Sequence, residues 1–457
     1  MPIERQEQLT AFSFSDYSGG VNVAQPPEQI AENEAELILN YEYDYNRLRT
    51  RGGTSAPLVT LEGEDVIESF FYDAATEAYI LFCEGTEKKK GNVYITYLND
   101  TPKLLGVLTG ADRPICCKYD NCVYIASGDK LQYYDYEGLK TIESSKLCDN
   151  VFERFGRLVV THRGDDNLYY SATGDAKSEN AWKEDSNVDS SSKWLEVGYK
   201  DDGDIITCKP MANDLLVFKT NGRIYSVSNE YPSWTVSQVG EKSHAQDMQR
   251  SIEIVGNSVA FITANGIRSV DTVQTYGNFT MNEIGYKFNK RLTEVVYKPM
   301  CWNIVSKRQL VIIPDARNRQ KVFIYQYNMD AGFELEFPFA VDDVAETANG
   351  VILLSGNSLY RWSFDLTTDN GKPIETKLIT RKVTTEVAFY TRKYNITIEG
   401  DAGGVVNLTA GKQSWKHPLK KSHRIKYLYD TLSELQLTLT SNSQHTITTI
   451  ILYSVVK

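Results

Sequence analysis

One formula recurs along this chain and limits what it can fold into. A polar turn leads into four or five β-branched or aromatic residues, a tight turn with Gly, Asn or Asp follows, and a second run alternates apolar and polar positions. It is written as "EAYILFCEGTEKKKGNVYITYL" from Glu77, "DNCVYIASGDKLQYYDYEG" from Asp120 and "FGRLVVTHRGDDNLYYSATG" from Phe155. It returns as "NDLLVFKTNGRIYSVS" from Asn213, "GNSVAFITANGIRSVDT" from Gly256, "KRQLVIIPDARNRQKVFIYQYN" from Lys307 and "NGVILLSGNSLYRWSFD" from Asn349. These are hairpin signals. Gly222 and Gly266 supply the positive φ that such turns need. The apolar runs begin near Tyr79, Val123, Leu158, Leu215, Val259, Leu310 and Val351, at spacings from the mid-thirties to the high fifties. Propeller blades repeat at about 40–50 residues. One blade cannot cover both of its own faces, so neighbours must do it. The reading is an all-β fold: a β-propeller of six to eight blades, seven favoured, over residues 56–365. The continuous apolar runs are read as inner strands and the alternating runs as strands nearer the surface. A pair of β-sandwiches is the competing architecture.

Both ends depart from the formula. After the turn-rich "LTTDNGKP", residues 366–457 are alternating runs rich in Thr, Ile, Val and Tyr, which suit a small β-sandwich. Residues 1–55 read as an N-terminal arm and docking segment. Pro26 and Pro27 fix an extended stretch. Asn33 with Glu36 three residues on makes a capping box, which predicts a short helix over about 34–41. Arg47, Arg49 and Arg51 alternate, so a strand would put all three on one face, available to an acidic neighbour. With Pro26 and Pro27 they are the candidate docking residues. A solvated strand edge protected by charge is the plainer reading.

The formal charge is −11, unevenly spread. Residues 366–457 hold 13 Lys and Arg against 7 Asp and Glu, a balance of +6, which leaves −17 to residues 1–365. The split suggests two domains with different neighbours. It is not the basic footprint of a sequence-specific nucleic-acid reader. Seven cysteines, an odd number with no Cys-x-x-Cys pair, suggest reduced thiols acting as small apolar side chains. No apolar run reaches the roughly 18 residues of a membrane span, and the opening "MPIERQEQLT" lacks the apolar core of a secretory signal.

Motifs that carry chemistry are missing. The five histidines show no metal-ligand spacing, and neither a phosphate loop nor a nucleophile elbow occurs. The acids cluster in turns: Asp165–Asp166, Asp342–Asp343, and Asp201, Asp202 and Asp204 in "DDGD". Such clusters are expected to be solvated loops. "DDGD" lacks the loop pattern and closing Glu of a strong calcium site. "SATGDAKSENAW", Ser171–Trp182, has the residue types of a sialidase box in the wrong order and reads as a blade turn. The expectation is a protein that is not an enzyme and needs no cofactor or metal.

Three segments together resemble a known family. They are Phe14–Ala35, with its Ser-Gly-Gly-Val-Asn and Pro-Pro-Glu-Gln-Ile, followed by "LRTRGGT"; "LYYSATGDAKSENAW"; and the pair "VFKTNGRIYSVSNEYPSWTVSQVG" and "SVAFITANGIRSVD". The combination is similar to the β-propeller tail hub and nozzle (packaged-DNA stabilisation) proteins of tailed bacteriophages, the short-tailed type above all. The resemblance implies a structural virion protein made in the bacterial host cytoplasm. It implies a homo-oligomeric ring, usually a hexamer, below the portal and adaptor proteins, with fibre or plug proteins beneath. Double-stranded DNA would pass through the ring without sequence readout, and no membrane insertion is implied. On this reading the arm packs on a neighbour, and Asp201, Asp202 and Asp204 are candidates for lining an acidic channel. The alternatives are a carbohydrate-binding propeller, a glycoside-hydrolase propeller, which needs two carboxylates about 5–10 Å apart in a pocket, and an intracellular scaffold propeller, whose Trp-Asp or kelch signatures are missing here.

Overall fold

The seven apolar runs all become strands, and each lies second from the molecular axis. They are Ala78–Cys83, Cys122–Ala126, Arg157–Thr161, Asp214–Lys219, Ser258–Thr263, Gln309–Ile313 and Gly350–Ser355. A second strand is hydrogen-bonded on both edges and covered by a neighbouring sheet on both faces, so it is the position that demands an unbroken apolar run. The strand nearest the axis is the one before it: Ile67–Asp73, Ile115–Tyr119, Asn150–Arg154, Ile205–Met211, Ile252–Val255, Met300–Ile304 and Asp343–Thr347. The inner-strand reading of the apolar runs is thereby corrected by one position.

The computed structural model describes residues 8–85, 90–211, 213–239, 249–273, 278–384, 392–400, 405–410, 413–419, 428–430 and 434–456. The first six repeats are antiparallel four-stranded meanders, the seventh supplies three strands, and innermost strands of neighbouring blades touch round the axis from blade 2 through blade 7 to blade 1, so the fold is a β-propeller. Apolar clusters fill the joints between blades, numbered here in chain order. Ile80 and Phe82 meet Val123 and Ile125 between blades 1 and 2; Tyr124 meets Leu158 and Val160 between blades 2 and 3. Leu215 and Val217 meet Val159, and Leu216 and Phe218 meet Val259 and Phe261. Ile352 and Leu354 meet Tyr79 and Leu81 across the closing joint. The last blade takes its outer edge from the N-terminal part of the chain: Gly53–Thr54 and Val59–Thr60 both pair with Ser358–Ser363. Gly53 is required there, because a Cβ would sit 2.1 Å from the Thr368 carbonyl oxygen.

The expected helix over 34–41 is a strand. Glu34–Leu39 pairs antiparallel with Thr376–Thr380, and Leu39 meets Glu334 of blade 6 in parallel register. A pairing partner on each edge outweighs a local capping signal. Side chains of the expected cap and first turn are also used elsewhere. Asn33 donates to the Ser18 hydroxyl, and buried Glu34 accepts from Asn22 Nδ2 at 2.7 Å and from the Ala31 amide. The single α-helix among the described residues is Tyr286–Thr293, between blades 5 and 6, burying Phe288 and Leu292. No helix there is long and apolar enough to cross a membrane.

Nor do the chain ends form an arm at one end and a sandwich at the other. Gln8–Ser15 pairs along its whole length with Thr449–Val456, which pairs on its other edge with Arg392–Glu399. Tyr41–Tyr43 pairs with Leu48–Thr50, which pairs with Thr446–Ile447. The two ends interleave into one β-domain whose apolar side chains, Phe14, Ile38, Leu378, Leu437, Leu439 and Ile450, share a core with blade 6. One of its sheets is the outward continuation of that blade. The order runs from Met300–Ile304 at the axis through Ala331–Glu336, Glu34–Leu39, Thr376–Thr380, Leu437–Ser441 and Val405–Ala410 to Gln413–Pro418.

This interleaving explains the charge split. Residues 1–50 carry 9 acids and 3 bases, a balance of −6, which cancels the +6 of residues 366–457. The ends offset one another in formal charge, and Arg381 meets Glu32 directly at 3.3 Å. The whole −11 therefore belongs to residues 51–365, the propeller.

Candidate functional site

Of the three alternating arginines, Arg51 is claimed by the chain itself. Its side chain is 1% exposed and all five N–H donors are used. Nε donates to Asn40 Oδ1 at 3.0 Å, Nη1 to Gly52 O and Asp369 Oδ1, and Nη2 to Glu336 O and Asp369 Oδ2, the last at 2.6 Å. The guanidinium lies 4.4 Å above the Phe337 ring. One cation thus ties the N-terminal strand, blade 6 and the segment leaving blade 7, and it is no docking residue. Arg49 caps the Phe364 carbonyl and stacks on its ring, while Arg47 pairs with Asp44. Pro26 is exposed and Pro27 half-buried, in an open groove with Glu36, Arg291 and Glu294.

The acidic turn divides similarly. Asp202 and Asp204 are exposed. Asp201 is a buried anchor, 2.7 Å from the fully buried Lys219 Nζ and accepting from Tyr225 OH and the Gly203 amide. Despite burial, the Lys219 and Tyr225 hydrogen bonds hold its carboxyl below the usual range. It lines no channel. The expectation of solvated acids also fails at Asp342 and Asp343, both buried.

Asp343 stands at the propeller axis, where the innermost strands bring charged side chains together. Its carboxylate accepts from Trp302 Nε1 at 2.6 Å and from the Phe70 amide at 3.2 Å, and pairs with Arg113 at 3.2 Å and Arg250 at 3.7 Å. A cavity of about 310 Å³ remains beside it, lined from blades 1, 2, 4, 5, 6 and 7, with Phe70, Cys116, Lys209 and Glu253 among the walls. Burial pushes the Glu68 carboxyl up to about 7 against the pull of Arg113 and Arg250. Burial, with repulsion from Arg113, lowers Arg250 to about 10. Chemically, the axis holds two guanidiniums and one carboxyl that titrates near neutrality. Sequence reading passed over Glu68, Arg113, Arg250 and Trp302. Of these only Glu68 carried a signal, a charge inside the strand-like run "IESFF". Among the described residues no group of three His, Cys, Asp or Glu is placed to hold a metal.

No family model matches the sequence, and no curated protein does. Among solved structures the chain is similar to the β-propeller domain of Cps50 (Swd1) from Myceliophthora thermophila, at 9% identity and TM-score 0.46, over 67% of this chain and 99% of that one. It is also similar to BamB from Moraxella catarrhalis, at 9% identity and TM-score 0.40, over 71% and 96%. A third is YCF48 bound to D1 peptide, at 8% identity and TM-score 0.42, over 68% and 95%.

Proposed function

We propose that this protein is a non-enzymatic structural subunit of a bacteriophage tail, a hub or nozzle that assembles into a ring and continues the DNA channel. The observation that carries the reading is the single sheet running from the propeller axis through blade 6 to the Gln413–Pro418 edge of the terminal domain. A hinge between domains would let a load-bearing ring deform, and a sheet shared by both domains resists that. The sequence resemblance of Phe14–Ala35 and of the blade segments supplies the viral assignment. The charge of −11 in residues 51–365 fits a wall past which DNA slides without sticking. Such repulsion reaches about 10 Å at 0.1 M salt.

The test is electron microscopy of the purified protein with labelled antibody on intact virions. The expected result is a closed ring of about six copies with an open centre, and label at the tail below the portal. A protein that stays monomeric across concentration and salt, or that labels no virion, overturns the reading.

A further inference from the structure

Between blades 3 and 4 lies a cleft of about 280 Å³ that sets Arg154 and Arg157 among the acids Asp189 and Glu230. Two arginines from one hairpin turn face it. Arg154, 6% exposed, donates Nη2 to the carbonyls of Asn213 at 2.6 Å and Val227 at 3.2 Å. Arg157 donates Nη1 to Ser171 O and Ser191 O and Nη2 to Asp189 O, each at 2.7 Å. Buried Lys193 stands close by, its Nζ bonded to Asp185 O and Ser191 Oγ and 4.8 Å from the Tyr231 ring centre. Among the described residues none of these three cations has a carboxylate within ion-pair distance. The buried cations described above, Arg51 and Lys219, each have one. Carbonyls satisfy hydrogens but leave the charge uncompensated, which is costly at a buried site. Burial lowers both arginines, and the carboxylates of Glu230 and Asp214 oppose this only from a distance.

A second observation is independent of charge. Tyr170 lines the same cleft and is 3% exposed, yet its hydroxyl has no hydrogen-bond partner among the described residues. Tyr17, Tyr72 and Tyr124 also keep an unmatched hydroxyl, but of these tyrosines it is Tyr170 that lines the cleft, where a ligand can complete it. The remaining wall is aromatic, with Trp234 4.9 Å from Tyr170 and 5.3 Å from Tyr231, ring centre to ring centre. Thr173 and Ser190 add hydroxyls to the cleft, and Asp189 and Glu230 add carboxylates that can accept from a ligand's hydroxyls. Blade 3 builds one side by inserting 171–192 between its last two strands, and the "NEYPSW" turn of blade 4 builds the other. Two segments singled out in the sequence thus meet here.

We infer that this cleft binds a small carboxylate-bearing sugar, of hexuronate chemistry. The carboxylate supplies the anion that Arg154 and Arg157 lack and an acceptor for the Tyr170 hydroxyl. Aromatic walls suit the C–H face of a sugar ring, and the polar groups need hydroxyl partners that an aromatic acid would not provide. The volume lies just below the range of drug-sized sites, so the ligand is one ring with substituents. This inference is independent of the tail-hub reading.

Calorimetric titration of the whole protein with sodium glucuronate, glucose and sodium benzoate tests it. Glucuronate should bind at least tenfold more tightly than either of the others. Tyr170→Phe, which removes one oxygen, should keep the wild-type melting temperature and weaken glucuronate about tenfold. Arg157→Gln should abolish the preference over glucose. Equal affinity for glucose removes the arginines from the argument, and equal affinity for benzoate removes the sugar. Heats unchanged in both variants, or no heat with any of the three, overturn the site.

Discussion

One buried guanidinium adds a polar tie to the shared sheet and core that join the two parts of this molecule. Arg51 sits at 1% exposure with every donor used, so truncation would strand Asp369, itself 5% exposed, without its counter-charge. Removing one partner of a buried pair costs about 3–5 kcal/mol. Arg51→Ala and Asp369→Asn should each lower the denaturation midpoint accordingly. Arg51→Lys should recover only part of the loss, because an ammonium cannot supply the bidentate fork. A second residue-scale prediction concerns pH. The Glu68 carboxyl titrates near 7 in the fold, and near its ordinary value of 4.5 when unfolded. Between those values the folded state binds more protons, so this group's contribution to stability falls as pH rises from about 4.5 to about 7, then levels. Glu68→Gln removes the dependence. The variant should match wild type in melting temperature at pH 4 and exceed it at pH 8. A gap that does not widen with pH would show that burial does not govern this carboxyl. Asp201 runs the other way: its depressed pKa gives stability that is present near neutrality and lost as acid protonates it.

At the scale of elements, the blades were legible because the second strand of each must be apolar along its whole length. "YILFC", "VYIA" and "LLVFK" cannot be read as anything solvated. The innermost strands were not legible. "IESFFYD", "NVFER" and "MCWNI" mix side chains that face neighbouring blades with polar ones that meet across the axis, and no two-residue period survives. Glu34–Leu39 misled for a different reason. "NEAELIL" carries a helix-start signal, whereas its strand partners lie some 300 residues away, at Glu334 and Thr376–Thr380. Local chemistry cannot report a pairing that distant. The cleft between blades 3 and 4 was half legible, since its two segments stood out but their juxtaposition did not. The bridging strand gives a direct test. Ile38 is fully buried in it, and Ile38→Ala should cost about 2–5 kcal/mol. Because that strand joins blade 6 to the terminal domain, limited proteolysis should then release terminal-domain fragments while propeller fragments persist. Uniform digestion of both parts would mean that the strand is no independent link.

The whole molecule has one electrostatic property that governs how copies of it meet. Had the sequence split of −17 and +6 described two separate bodies, copies would attract head to tail, and salt would weaken their association. Interleaving of the ends removes that attraction: −6 from residues 1–50 cancels +6 from residues 366–457, and the −11 of the propeller remains. Subunits of a ring then approach with like charge. Screening shortens the reach of that repulsion from about 30 Å at 0.01 M to about 10 Å at 0.1 M. Ring formation, as proposed above, should therefore strengthen as salt rises through this range, and its assembly midpoint in sedimentation velocity should move to lower protein concentration. Charge reversal at Asp202 and Asp204, both exposed, should reduce the salt dependence without affecting the fold, because neither holds the buried Lys219 as Asp201 does. Association that weakens with salt would instead place opposite charges across the subunit contact, and the cancellation argued here would not describe the surfaces that meet.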